Sequence, residues 1–125
     1  MIKALHHIAV LCSSKQKAVS FYVDALGFKQ VKTHIRPSRG DEIVMLEGYG
    51  IRLELFIVKG RPPRTTNPEA YGLRHLALYV DNIEELVVML RARGFLPEPI
   101  RQDSFTFEKM TFVKDPDGLP IELHE

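Results

Sequence analysis

His7-Ile8-Ala9-Val10 returns later in the chain as His75-Leu76-Ala77-Leu78. Each string is followed by a glutamate in an apolar setting, Leu53-Glu54-Leu55-Phe56 and Ile121-Glu122-Leu123-His124. His7 precedes Glu54 by 47 residues and His75 precedes Glu122 by the same 47, so the pairs recur with a period of 68. Chance can supply one such pair, but hardly two in register with matching neighbours. A repeat of this kind fixes architecture before any propensity is weighed, because each copy is one supersecondary unit. The duplication predicts that His7, Glu54, His75 and Glu122 gather at one centre.

Working outward, each half reads as strand, helix and three strands. Residues 5–11 are β-rich and end at Cys12-Ser13-Ser14. Ser13 followed by Gln16 fits a capping box. Ala18, Val19, Tyr22 and Leu26 then keep helical spacing up to Gly27, a suitable C-terminal stop. Strands are expected at 28–36, 42–47 and 51–58, with Arg39-Gly40-Asp41 and Gly48-Tyr49-Gly50 as turns. In the second half, 73–80 is a strand, and Asp81 with Glu84 offers another N-cap. Ile83, Leu86, Val87 and Leu90 form an apolar helical stripe ended by Gly94. Strands follow at 95–101, 105–113 and 119–124, the last after the turn signal Asp115-Pro116-Asp117-Gly118. Residues 59–72, with three prolines, read as a linker between module 1 (5–58) and module 2 (73–124) of a single domain spanning 1–125.

The bulk properties narrow the function classes. A chain of 125 residues is one typical domain. Its formal net charge of +1 gives no electrostatic footprint for nucleic acid or a membrane surface. Its apolar runs are strand-length, far short of the roughly 20 residues a membrane helix needs. The N-terminus lacks the apolar core of a secretory signal. Cys12 is the only cysteine, so a reducing compartment is the default and a cytoplasmic location is expected. It reads as a small buried or edge residue, with no activating partner evident.

Side chains alternate across a strand. His7, Ala9 and Leu11 therefore share one face, as do Arg52, Glu54 and Phe56; His75, Ala77 and Tyr79; and Glu122 and His124. The opposite faces are aliphatic and suited to lie under a helix, except that His6 interrupts the first. Imidazole nitrogen with carboxylate oxygen favours zinc, nickel, cobalt, iron or manganese over calcium or magnesium. Four protein ligands on a six-coordinate ion leave two positions for water or substrate oxygens. His6 is set aside as a ligand because only His7 aligns with His75. His34 is read as surface, and His124 as C-terminal and exposed. Arg36, Arg74, Arg101 and Lys109 are read as solvated charges. Arg52, on the face of Glu54, is the candidate substrate contact.

These residues carry a family resemblance. The two histidine strings, Ser20-Phe21-Tyr22 with Leu26-Gly27-Phe28, Ala70-Tyr-Gly-Leu-Arg-His75, and Phe112-Val-Lys-Asp-Pro-Asp-Gly-Leu-Pro-Ile-Glu122 resemble the vicinal oxygen chelate superfamily over nearly the whole chain. The likeness is greatest to glyoxalase I, the lactoylglutathione lyase branch. The resemblance implies an α+β fold in which two tandem βαβββ modules form a curved, barrel-like mixed sheet with helices outside. It places the metal ligands on His7, Glu54, His75 and Glu122, with nickel or zinc as the foremost ions. It implies a lyase or isomerase acting on the hemithioacetal of a 2-oxoaldehyde and a thiol, in methylglyoxal detoxification. Glu122 is then the base working through an enediolate, and Glu54 acts on the other stereoisomer. It also implies a homodimer, with the metal site either within one chain or shared across two.

One position departs from the pattern. Glutathione-using members carry an arginine four residues after the first ligand, where this chain has Leu11. That puts the tripeptide in doubt and makes another thiol or small oxygenated substrate plausible. Three alternatives stay open: thiol transfer to an antibiotic of the fosfomycin kind, an extradiol-type dioxygenase, and metal-free sequestration of the bleomycin-resistance kind. The complete ligand quartet weighs against the first and third, and the shortness of the chain against the second.

Overall fold

The computed structural model describes residues 1–125 and divides into two compact units, Met1–Pro62 and Pro63–Glu125. Each unit has its own four-stranded mixed sheet and one main helical segment, the first adding a short 3-10 turn at Pro37–Arg39, so the class is α+β. The strands form two separate sheets, not one closed barrel.

In the first unit the order is β1 (Ile8–Cys12), α1 (Lys15–Val19) running into a π-helical segment (Ser20–Ala25), β2 (Lys29–Arg36), β3 (Asp41–Gly48) and β4 (Ile51–Ile57). The sheet order is β1-β4-β3-β2, with β1 parallel to β4 and the remaining pairs antiparallel. A parallel neighbour needs a crossover, which the helix and two further strands supply. Ala18, Phe21, Tyr22 and Ala25 from the helical segment are buried, as are Val10, Cys12, Val44, Leu46, Leu53 and Leu55 from the strands. Burying one such aliphatic or aromatic side chain contributes about 1.5–3 kcal/mol. The helix stops at Gly27, whose φ of 82° suits glycine. A Cβ there would stand 2.6 Å from the Tyr49 hydroxyl, which donates to Leu26 O.

The second unit repeats the plan with β5 (Leu76–Tyr79), α2 (Ile83–Ala92), β6 (Arg101–Gln102), β7 (Lys109–Lys114) and β8 (Pro120–His124). Its order is β5-β8-β7-β6, again with the first pair parallel. Ile83, Val87 and Leu90 recur at i, i+4 and i+7 and are buried, together with Val113, Ile121 and Leu123. Thr111 is fully buried, and its hydroxyl donates to Glu98 O at 2.7 Å, which satisfies the polar group.

Several expectations shift. Both helix caps lie one residue later than the capping-box reading: Ser14 Oγ accepts from Lys17 N, and Asn82 Oδ1 accepts from Glu85 N. Most of the strand expected at 95–101 is absent, leaving only Arg101–Gln102. Pro97 and Pro99 lack the N–H groups a ladder requires. The strand expected from Phe105 begins at Lys109. Asp103 Oδ1 instead captures the N–H groups of Phe105 and Thr106, and Phe107 takes φ 63°, which makes a turn. No helix is long and apolar enough to cross a membrane.

Candidate metal-binding pairs

Each unit builds one histidine–glutamate pair by the same route. In the first, the parallel β1–β4 register sets Ala9 opposite Glu54. His7, on the parity of Ala9 and one residue before the ladder starts, brings Nε2 to 2.6 Å from Glu54 Oε2. In the second, Ala77 is opposite Glu122, and His75 Nε2 lies 3.0 Å from Glu122 Oε2. The buried neighbours Leu53, Leu55, Ile121 and Leu123 occupy the other parity, so the glutamates point away from the core. The histidine side chains stay about one-third exposed and the glutamates less so, which leaves the donors accessible but not freely mobile.

These separations fit a divalent cation. Two ligands held about 2.1 Å from an ion and about 90° apart lie about 3 Å from each other. The separations of 2.6 and 3.0 Å bracket that value, and nitrogen with carboxylate oxygen is the donor chemistry of a borderline metal. No positive side chain is paired with Glu54 or Glu122.

The surroundings of the first pair are charged and partly apolar. Arg52 donates through Nε and Nη2 to Glu47 Oε1, at 3.3 and 2.8 Å. Arg52, Glu47, His6, Leu5, Ile51 and two glycines line an open cavity of about 550 Å³ within this unit, which neither His7 nor Glu54 lines. Arg36 makes a two-bond fork to Asp41, at 2.7 and 2.6 Å, and stacks 5.3 Å from the centroid of Phe56. The fork holds the Asp41 carboxyl below its ordinary range and raises the guanidinium, with Glu54 adding to the latter. Leu11, where the glutathione-binding arginine is absent, is exposed.

Around the second pair, Phe112 faces Glu122 across β7–β8 and meets the His75 ring edge-on at 5.2 Å. Arg101 lies over the Phe112 ring, 5.6 Å from its centroid, and pairs with Glu98.

Three readings of lone residues need correction. His124 is not an exposed terminus; its side chain is only 13% exposed. Its Nε2 meets Thr106 Oγ1 at 3.2 Å. Its buried Nδ1 lies 3.2 Å from Glu108 Oε2 yet outside hydrogen-bond geometry. Asp103, Glu122 and His124 each place one donor atom within 4.8 Å of the others. Asp103 is already committed to the turn, since the N–H groups of Thr106 and Phe105 hold its carboxyl below the ordinary range. Second, His6 is not confined to the face opposite His7. The ladder begins at Ile8, so strict alternation does not reach it, and its Nδ1 lies 2.7 Å from His7 Nδ1. Third, Arg36 is not a solvated charge: it is half-buried and held by Asp41, whereas Arg74, Arg101 and Lys109 are exposed as read, each with a carboxylate partner. His34 is exposed and Cys12 buried, as the sequence suggests. The turn residues around His124 carried no periodic signal; Asp103-Ser104 before two aromatics was the only local hint.

Residues 4–123 match the Glyoxalase/Bleomycin resistance protein/Dioxygenase superfamily. The chain is 43% identical to the uncharacterized protein YwkD of Bacillus subtilis, covering 100% of this chain and 98% of that one. It is 30% identical to the lactoylglutathione lyase of Salmonella typhimurium, over 97% and 91% of the two chains. Among solved structures, the glyoxalase family protein from Enterococcus faecalis aligns with TM-score 0.92 and 46% identity over 98% of each chain.

Proposed function

The chain belongs to the Glyoxalase/Bleomycin resistance protein/Dioxygenase superfamily, and from that premise we propose that it is a metal-dependent lyase or isomerase of glyoxalase type. The observation that carries the reading is the twice-built pair, His7 with Glu54 and His75 with Glu122, at cation-compatible spacing. In this reading all four side chains serve one divalent ion, nickel or zinc first. Bound there, the ion supplies Lewis acidity to the two neighbouring oxygens of a 2-oxoaldehyde–thiol hemithioacetal.

The chain's own groups do the proton work. The Glu122 carboxylate removes the proton from the carbon bearing sulfur, leaving the electron pair in an enediolate. It then returns that proton to the adjacent carbon, so the step is a redox-neutral isomerisation within the substrate. Glu54 performs the same transfer on the opposite stereoisomer. A base must reach the proton it removes, and both carboxylates point away from the core on the face shared with the histidines. Arg52, beside its cavity, is the group we assign to an anionic part of the substrate. The exposed Leu11 favours a thiol other than glutathione. We further propose a homodimer as the working form.

Metal analysis of the purified protein, joined to assays of methylglyoxal with several thiols under added nickel or zinc, tests this reading. We expect one ion per chain and turnover of one hemithioacetal isomer that Glu122→Gln removes. A protein that takes up no metal, or a variant that keeps full turnover, ends it.

A further inference from the structure

We propose that His6 is a positioning residue for His7: it holds the ring by accepting a hydrogen bond from the His7 Nδ1–H when Nε2 faces a metal ion. The inference deepens the function proposed above and rests on His7 being a ligand through Nε2.

His7 presents Nε2 to Glu54 at 2.6 Å and Nδ1 to His6 Nδ1 at 2.7 Å, so both ring nitrogens already have partners. The two rings stand edge to face, with centroids 5.0 Å apart and planes 77° apart. A neutral imidazole has one N–H and one lone pair, so its two contacts are not independent. If Nε2 offers its lone pair to a cation, the proton must sit on Nδ1, and the group at 2.7 Å must accept it. His6 can do so only as its own Nε2–H tautomer, with Nδ1 bare. If Nε2 instead donates to Glu54, the same contact works in reverse, with His6 donating. Lysine or arginine at position 6 could not accept at all, because those side chains carry only donors. Metal-bound histidines as a rule donate their second N–H to such a partner, which fixes the tautomer and ring orientation.

The second pair makes the point by contrast. The residue before His75 is Arg74, a donor-only side chain whose guanidinium is held by Glu69 at 2.6 and 3.1 Å. The repeat that matches His7 to His75 therefore does not extend to the preceding residue. His6 is exposed, so water competes for the same role and the expected effect sits at the low end of what such partners contribute.

The test uses zinc, the full chain and four proteins: wild type, His6→Ala, His6→Asn and His7→Ala. Zinc affinity is read by competition with a chromogenic chelator. Long-range proton–nitrogen spectra of the zinc-loaded protein report each ring's tautomer. Asparagine places an acceptor oxygen close to the site of Nδ1, so it should bind within about threefold of wild type, whereas His6→Ala should lose roughly tenfold. In the wild-type spectrum, His7 should carry its proton on Nδ1 and His6 on Nε2. His6→Ala binding as tightly as wild type, or His6→Asn binding as weakly as His6→Ala, overturns the proposal. If His7→Ala itself leaves zinc binding unchanged, it is the ligand assignment that has failed, which is a different result.

Discussion

Ala9 stands directly opposite Glu54 in the parallel β1–β4 ladder, and Ala77 stands in the same relation to Glu122 across β5–β8. Both alanines lie two residues after a site histidine, and both are exposed on the site face. On the β1 and β5 sides a methyl group is all that the lateral neighbour of each carboxylate presents, while Met45 and Phe112 stand opposite them on the β3 and β7 sides. Enlarging it should crowd the glutamate without touching the core. Ala77→Leu is expected to change unfolding free energy by no more than about 0.5 kcal/mol. It should weaken zinc binding roughly tenfold or more, an effect of the size seen when groups around a metal ligand are disturbed. Paired denaturation and chelator-competition measurements check this.

The division of labour between the carboxylates gives a stereochemical prediction. Glu122→Gln should lower kcat roughly 10²–10⁴-fold on one hemithioacetal isomer, and Glu54→Gln on the other. Equal losses on both isomers for both variants would point to two ligands and no separate bases. Single-turnover assays with resolved isomers separate the cases.

Arg52 is expected to act on binding more than on chemistry, since it sits by the cavity and is tied to Glu47. Arg52→Gln should raise KM for an anionic thiol adduct several-fold, by roughly 1 kcal/mol of lost interaction, and leave kcat nearly unchanged. An uncharged adduct should show no such rise.

The Arg36–Asp41 fork makes stability depend on acid. The Asp41 carboxyl is lowered, first by the Arg36 hydrogen bonds, with Arg39 and His34 contributing charge. A carboxyl lowered in the folded state stabilises it above the ordinary carboxylate value and loses that contribution as pH falls through the lowered one. Wild type and Asp41→Asn should therefore differ in urea midpoint near neutrality and converge as pH falls through the lowered carboxyl value. A constant difference across that range counts against the fork.

Helix caps offer a direct check on the one-residue shift. Asn82→Ala should cost about 1 kcal/mol of stability and Ser14→Ala a similar amount. Asp81→Ala should cost far less, because it is not the N-cap residue. Urea titrations of the three variants resolve the ranking.

The capping error shows where sequence patterns stop being sharp. Ser13 and Ser14, like Asp81 and Asn82, are adjacent residues of equal capping ability, and only the backbone turn selects between them. The same holds for Phe95–Arg101. Its apolar residues suggested a strand, yet Pro97 and Pro99 deny it donors, and before the Arg101–Met110 pairing it is held to the sheet by Glu98 N to Phe112 O and by the Thr111 hydroxyl to Glu98 O. Asp103 likewise overrode the β propensity of Phe105 and Phe107 by taking two N–H groups into a turn.

The amino-acid order by itself determined the repeat, the βαβββ plan of each half and the partners His7–Glu54 and His75–Glu122. Those follow from strand alternation, helical spacing and a fixed separation, which are properties of a chain read in one dimension. Only the tertiary structure decided that His6 meets His7, that His124 is enclosed by Thr106, Glu108 and Tyr79, and that Arg36 lies on Phe56. Such contacts depend on where a ladder begins and how a loop closes, and no periodicity in the chain encodes either.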